Sequence, residues 1–304
     1  MKNNLKFDLV NSTTTNPVDS AEIYAAALIK GGSKETFNTI LDVKDKARIR
    51  KHNFGTLLQS DSCTFSDEGA GTLTEKEVSA CPLKINAEIC QSTLESSYVS
   101  HTMAKGSMNA DFLPADFQAY LTDELGKKLS AEFEVLVWQG DTSGSPADVC
   151  DGLLTKFAAD ATVVDVTGTT ITSANVIAEL NKVYAAIPEA VKFSESLRIY
   201  VSSNILSAYR QAVSAASAEG YYDAKLAENK FLGIPMVLAQ GLPANEMVAA
   251  ETNNLFLISD LLSDFDDIRI LPQLDVTGDD TVRIVGRVKF AVDYAYGAEV
   301  CYYA

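Results

Sequence analysis

The chain has 304 residues, 47% of them hydrophobic, and 25 basic against 41 acidic side chains give a formal net charge of −16. So acidic a chain is excluded from gripping nucleic acid through phosphate neutralisation, which needs clustered Lys and Arg. No apolar run reaches the ~18 residues a membrane-spanning helix requires, and Lys2, Asn3 and Asn4 are not followed by the apolar core of a signal peptide.

The first 16 residues are polar and read as a flexible arm. Asn16 can cap a helix with Pro17 at its first position, and AEIYAAALIK carries it to a stop at Gly31-Gly32. Strand-like alternation follows in TILDVKDKARIRK, where Lys44, Lys46, Arg48, Arg50 and Lys51 read as the solvated face of a strand rather than a phosphate site. From Phe54 to Ala80 the chain is rich in Ser, Thr, Gly and Asp, with a turn over Phe65–Gly71 that contains Gly69. The segment Cys81–Cys90 sets Leu83, Ile85, Ala87 and Ile89 against polar neighbours, the pattern of a half-buried strand. Such a low-hydrophobicity stretch is poor core material. Residues 54–90 are therefore expected to form an extended hairpin that projects from the body and lies on something outside it.

Between Leu113 and Asp141 runs LPADFQAYLTDELGKKLSAEFEVLVWQGD. Pro114 suits a first helical turn, and Phe117, Leu121, Leu125, Leu129, Phe133 and Val137 recur at every fourth residue, so one side of a single helix is apolar throughout. Ala115 to Trp138 would span about 36 Å at 1.5 Å per residue, well beyond the usual three or four turns. Gln139-Gly140-Asp141 ends it, and Ser143-Gly144-Ser145-Pro146 is the clearest internal boundary. A mixed α/β region follows. Ser173 is expected to cap a helix carrying Val176, Ile177, Leu180, Val183, Tyr184 and Ile187; LRIYVSS reads as a strand, AYRQAVSAASA as a helix and LGIPMVLA as a strand. After GLPANEM the period falls to two, in NLFLIS, DIRILPQL and VRIVGRVKFAVDYAYGAEVCYY, with a hairpin turn at Thr277-Gly278-Asp279-Asp280.

The chain carries no recognisable reactive motif. No GxSxG elbow is present, and Ser145 is a linker serine. Gly69-Ala70-Gly71 and Gly31-Gly32-Ser33-Lys34 each lack the rest of a phosphate-binding frame, and Asp275–Asp280 lacks calcium-loop spacing. Glu132 and Glu134 fall on different helix faces, and His101 has no evident partner. Cys63, Cys81, Cys90, Cys150 and Cys301 form an odd set with no CxxC and only His52 and His101 beside them, so free thiols in a reducing cytoplasm are expected and zinc is not. No catalytic, cofactor-binding or metal-binding residue is expected, and the chain is not read as an enzyme.

The succession of polar arm, hairpin, long helix, mixed lobe and closing strands resembles the major capsid protein of tailed bacteriophages, the Hong Kong 97 fold. The likeness is carried by LPADFQAYL leading into EFEVLVWQGD, by GLPANEMVAAETNNLFLISDLLSDFDDIRI and by the final VRIVGRVKFAVDYAYGAEVCYY. It implies an α+β fold with an N-terminal arm (1–35), a peripheral-domain segment (36–53), an extended hairpin loop (54–90), a peripheral domain containing the spine helix (91–141), an axial domain (142–245) and return strands to the peripheral domain (246–304). Trp138, Gly140 and Asp141 would form the exit from spine to axial domain, with Trp138 pinning the helix end and Gly140 permitting the redirection. Pro17 in the arm, and Phe65, Gly69 and Gly71 in the hairpin, would lie at contacts with neighbours. The implied partners are many copies of the chain in pentamers and hexamers, portal and scaffold or decoration proteins, and packaged DNA nearby without specific binding; no membrane and no cofactor are implied. The implied location is the virion, assembled in the cytoplasm of a bacterial host. The family's long N-terminal scaffold segment has no counterpart ahead of the arm, which points to a separate scaffold protein or none, and no lysine–asparagine crosslink is expected. The competing readings are a nanocompartment shell of the encapsulin type, an α/β enzyme acting through His101, and a β-rich adhesin, which the missing export signal disfavours.

Overall fold

A computed structural model describes residues 32–41, 43, 45–54, 58, 60, 61, 63, 71–90, 115–144, 150–216, 229–260, 269–273, 277–279 and 281–304. The expected first helix with Pro17, the turn residues Phe65 and Gly69, and His101 lie outside these residues.

The longest strand organises the body. Thr281–Tyr294 (β12) buries Val282, Ile284, Val288, Phe290, Val292 and Tyr294 on one face. These alternate residues meet Leu129, Phe133 and Val137 of the long helix Ala115–Gln139 (α1), with the Phe133 and Phe290 ring centres 5.7 Å apart. Each such side chain contributes about 1.5–3 kcal/mol on burial. The four-residue stripe of α1 is thus its core face from Leu125, half-buried, to Val137. Along one edge of β12 runs Cys81–Cys90 (β4), antiparallel from Thr281↔Cys90 to Phe290↔Cys81. Along the other lie Arg269–Pro272 (β11) and Leu255–Ser259 (β10), and Asn38–Ile40 (β1) pairs parallel with β10. The β11–β12 register confirms the hairpin expected at Thr277–Asp280.

The half-buried alternation of Cys81–Cys90 is as expected, but its assignment to the hairpin is corrected: this strand belongs to the five-stranded body sheet, because Leu83, Ile85, Ala87 and Ile89 have the core of α1 to pack on. The hairpin's own strands are Lys46–Asn53 (β2) and Thr72–Ser79 (β3), paired from Lys46↔Ser79 to Asn53↔Thr72. The outward face of β2 carries Lys46, Arg48 and Arg50, and glutamates of β3 answer them: Lys46 pairs with Glu77, while Arg48 and Arg50 reach Glu75 at 3.5 and 3.1 Å. Lys51 lies on the other face, over the Tyr296 ring, and Lys44 is outside the described residues. Such exposed pairs are worth about 0–1 kcal/mol each. The ribbon is held from its other face, where Ala47, Ile49 and Val78 are buried against Ile258, Ala291 and Ala295. Toward the tip, Phe54, Leu58 and Leu73 are exposed.

The second lobe is a six-stranded sheet in the order Val164–Val166 (β5), Cys301–Tyr303 (β13), Met247–Glu251 (β9), Leu197–Val201 (β6), Ile234–Leu238 (β8) and Lys230–Phe231 (β7). The helix Leu153–Ala159 (α2) leads into it, and Val176–Ala186 (α3) and Ser203–Ala216 (α4) share its core. Helix α3 begins later than a Ser173 cap would place it; Asn175 instead accepts from the Thr172 N–H at 2.7 Å, making a turn ahead of the helix. The strands β9 and β13, expected with the return strands, complete this sheet instead of the body's. Met247–Ala250 is buried on both faces, so it lacks the alternation that marks a strand beside solvent.

The expectation of free thiols is also corrected in part. Cys81 and Cys150 are joined by a disulfide with Cα atoms 5.9 Å apart, while Cys63 and Cys301 are free thiols. Nothing in the spacing of 69 residues signals this pair, which exists because the start of β4 and the chain leading into α2 meet at one edge of the body.

Candidate functional site

Three parts of the molecule converge where α1 ends: the short 3-10 turn Gly32–Thr36, the last two turns of α1, and the six-stranded lobe through Tyr200 of β6. Trp138 is the hub. Its buried ring lies edge-on to Phe37 at 5.8 Å and tilted to Tyr200 at 5.4 Å, and Phe37 meets Tyr200 at 5.6 Å, so three rings close a triangle. Ring pairs of this geometry add about 0.5–1.5 kcal/mol beyond their burial. The indole Nε1 donates to Ser33 Oγ at 2.8 Å; Ser33 Oγ in turn donates to Glu134 Oε1 at 2.5 Å, and the Ser33 N–H donates to the same oxygen at 3.1 Å. Thr36 Oγ1 and Tyr200 Oη share a hydrogen bond of 2.7 Å. One helix turn earlier, Lys34 Nζ donates to the Ser130 carbonyl at 3.0 Å.

Glycines make this convergence possible. A Cβ on Gly241 would lie 2.0 Å from the Glu134 carbonyl oxygen, one on Gly140 would lie 2.4 Å from that of Cys150, and one on Gly152 would lie 2.6 Å from the Gly140 nitrogen. Gly140 was expected to redirect the chain by its conformational freedom, yet its φ is not positive: it is needed for close approach. Its carbonyl accepts from the Gly152 N–H at 2.7 Å and from Thr155 Oγ1 at 2.7 Å, so the end of α1 is satisfied by the start of α2. Gln139 Nε2 donates to the Gly241 carbonyl at 2.6 Å. Asp141 lies just outside, accepting from the Ser143 backbone and hydroxyl at 2.8 and 2.7 Å.

Lys34 is almost wholly buried, and desolvation lowers its ammonium from 10.5 to about 8, against the opposing fields of Glu134 and Glu35. The folded state therefore binds fewer protons than the unfolded chain between these values, and Lys34's contribution to stability rises with pH across that window. Its burial cost is fully present below pH 8 and gone above 10.5. A urea titration series from pH 8 to 10 should show the wild type gaining about 2 kcal/mol relative to Lys34→Met. Parallel pH profiles would mean that the buried ammonium is not the cause; the buried Tyr200 hydroxyl, raised to about 12 chiefly by desolvation, acts in both proteins alike.

A second convergence ties the ribbon to the same framework. Asp293 lies near the end of β12 on the face opposite the α1 core, buried, with Lys76 of β3 at 2.5 Å from Oδ1 and Lys156 of α2 at 3.1 Å from Oδ2. Lys76 Nζ also sits 4.0 Å from the centre of the Tyr294 ring and donates to the Tyr294 carbonyl at 3.2 Å. Lys156 Nζ donates to the Val292 carbonyl at 2.5 Å. Tyr294 Oη donates to Asp160 Oδ2 at 2.8 Å; Asp160's carboxyl is held below its ordinary range, chiefly by the Thr162 hydroxyl and then by the Thr162 N–H. One carboxylate thus joins ribbon, body sheet and lobe.

Of the residues singled out by sequence, Trp138 and Gly140 come together here and Asp141 lies just outside, while Gly71 is exposed just ahead of β3 and Phe65, Gly69 and Pro17 lie outside the described residues. Sequence reasoning missed Ser33, Lys34, Glu134, Tyr200, Gly152, Gly241 and the Asp293 cluster. Two had a visible signal: Glu134 follows Phe133 into the apolar side of α1, and Asp293 interrupts the apolar run AVDYA. Among the described residues no group of three or more His, Cys, Asp or Glu could hold a metal ion, and no helix is long and apolar enough to cross a membrane. The arrangement holds elements together: the Ser33 hydroxyl and N–H tie the 3-10 turn to Glu134 of α1, and Thr36 ties it to Tyr200 of β6.

No family model matches the sequence, and no curated protein is similar to it. Solved structures are similar over nearly the whole chain. The satellite phage P4 procapsid including size determination protein superposes with a TM-score of 0.54 at 16% identity, covering 93% of this chain and 96% of that one. The capsid of a native GTA particle gives 0.58 at 13% identity, covering 100% and 95%. Mycobacterium phage Ogopogo gives 0.59 at 10% identity, covering 90% and 92%.

Proposed function

Because this chain has the Hong Kong 97 fold of tailed-bacteriophage capsid proteins, we propose that it is the major capsid subunit of such a phage, a structural protein that self-assembles into the closed shell around a double-stranded DNA genome. The observation that carries this reading is the likeness to capsids and a procapsid along nearly the full length of both chains. The local physics supports it. The ribbon is fastened at its base, yet exposes Phe54, Leu58 and Leu73 toward its tip; apolar side chains on an arm of this shape gain by lying on a neighbouring subunit. The net charge of −16 suits a container whose wall must not hold packaged DNA. In this reading residues 36–45 and 81–141 form the peripheral domain with its spine, residues 142–245 the axial domain around fivefold and sixfold axes, and the junction at Trp138 transmits force between them. Portal, scaffold and decoration proteins are the further partners, and the virion, assembled in the bacterial cytoplasm, is the location.

Electron microscopy with light scattering of the chain expressed alone, and then with the neighbouring genes, tests this. Closed shells or tubes are expected. Monomers under both conditions would sink the reading, and enzyme cargo inside the shells would replace it with the nanocompartment. Deleting residues 58–70 should leave a folded, soluble subunit that builds no stable particle; normal particles from that variant would remove the ribbon from assembly.

A further inference from the structure

Cys81 is the first residue of β4, two residues after the last residue of the ribbon strand β3, and is opposite Phe290 in β12. Cys150 is buried ahead of α2, with its carbonyl against Gly140 at the end of α1. The bond between them spans the boundary between the ribbon-bearing sheet and the root of the six-stranded lobe, and closes a loop containing the whole of α1. The unbonded state is also provided for: Cys150 Sγ lies 3.3 Å from the Phe290 carbonyl, which accepts the S–H when the thiol is reduced. A buried sulfur with a partner in either state costs little to leave unjoined.

We propose that Cys81 and Cys150 are a conditional lock, two thiols while the chain is made and assembled in a reducing cytoplasm and a disulfide once the protein meets an oxidising medium. The co-reactant is a low-molecular-weight disulfide. The thiolate of the partly exposed Cys81 attacks one of its sulfurs and expels one small thiolate. The Cys150 thiolate then displaces the second small thiolate and forms the Cys81–Cys150 bond. Two protein thiols are oxidised, one small disulfide is reduced to two thiols, and the two protons pass to the leaving groups. Because Cys150 is buried, small thiols reach the finished bond poorly. The pairing stands on the geometry alone; its timing rests on the capsid reading.

The test uses the full chain purified under reductant and divided, with one half exposed to oxidised glutathione and the free thiols of both halves then alkylated in denaturant. Peptide mapping should find Cys81 linked to Cys150 only in the exposed half, with Tm raised by several degrees. Cys81→Ser should fold with the Tm of the reduced protein and gain nothing on exposure, whereas Cys90→Ser should respond like the wild type. Cys81 and Cys150 both alkylated after exposure, or an equal Tm gain in Cys81→Ser, would overturn the lock. For the timing, particles quenched with alkylating agent inside the cell should carry both thiols free; a bond already present there overturns it. A linked pair in a chain that never forms particles would uphold the pairing and remove the capsid reading instead.

Discussion

Substituting Gly241 by alanine should destabilise this protein by about 3 kcal/mol or more, enough to shift its urea midpoint far below that of the wild type. The added methyl would lie 2.0 Å from the Glu134 carbonyl oxygen, 2.6 Å from its carbon and 2.8 Å from Trp138 Cδ1. None of these atoms has room to yield. The carbonyl is helix backbone, and the indole is wedged between Phe37 and Tyr200. The loop cannot retreat freely either, because Gln139 grips the Gly241 carbonyl. Gly233→Ala is the contrasting control. There φ is +91° and no atom lies within 4 Å, so the cost is limited to backbone strain of about 1 kcal/mol. A wild-type midpoint for Gly241→Ala would mean that this loop does not pack on the helix end. If the junction also transmits force in a shell, Gly241→Ala subunits that still fold should give fewer closed particles.

Replacing Asp293 by alanine should have the next largest effect, about 2–3 kcal/mol. Removing the carboxylate leaves the Lys76 and Lys156 ammoniums facing each other's charge across a buried position. The loss falls short of the full cost of orphaning a buried charge because both lysines are about a quarter to a third exposed and can turn toward water. Lys76→Met should be milder, since Lys156 still pairs with the carboxylate, and the two changes together should cost less than their sum because one charge conflict is removed. Hydrogen exchange supplies the second readout. Amides of Lys46–Asn53 and Thr72–Ser79 should lose protection in Asp293→Ala, the ribbon being tied to β12 through Lys76. Unchanged ribbon protection would show that Ala47, Ile49 and Val78 alone hold it down.

A strand's own pattern does not encode the surface that covers it. The alternation of Leu83, Ile85, Ala87 and Ile89 correctly marks a half-buried strand, but it cannot name the surface that covers the buried half. Attached by sequence to a projecting hairpin, Cys81–Cys90 pairs over ten residues with β12, almost two hundred residues away. Met247–Glu251 fails in the opposite way: buried on both faces, it offers no period at all. In α3 the apolar spacing places the helix, while its start depends on a local competition for the Asn175 side chain that spacing does not encode.

By itself the sequence determined the elements whose signals are local: the long helix with its apolar side, the polar face of β2 and the hairpin turn before β12. These follow from side-chain periods of 3.6 and 2 and from turn chemistry, which neighbours along the chain suffice to express. Tertiary structure alone decided what those elements meet. Ser33 reaches Glu134 across 101 positions, Lys76 reaches Asp293 across 217, and Cys81 finds Cys150 across 69. The role of Gly140 changed for the same reason: its presence is written in the chain, but whether a glycine serves a turn or a close approach depends on which backbone folds against it. Faces are set by residues a few places apart; the pairing of faces is set by the whole chain.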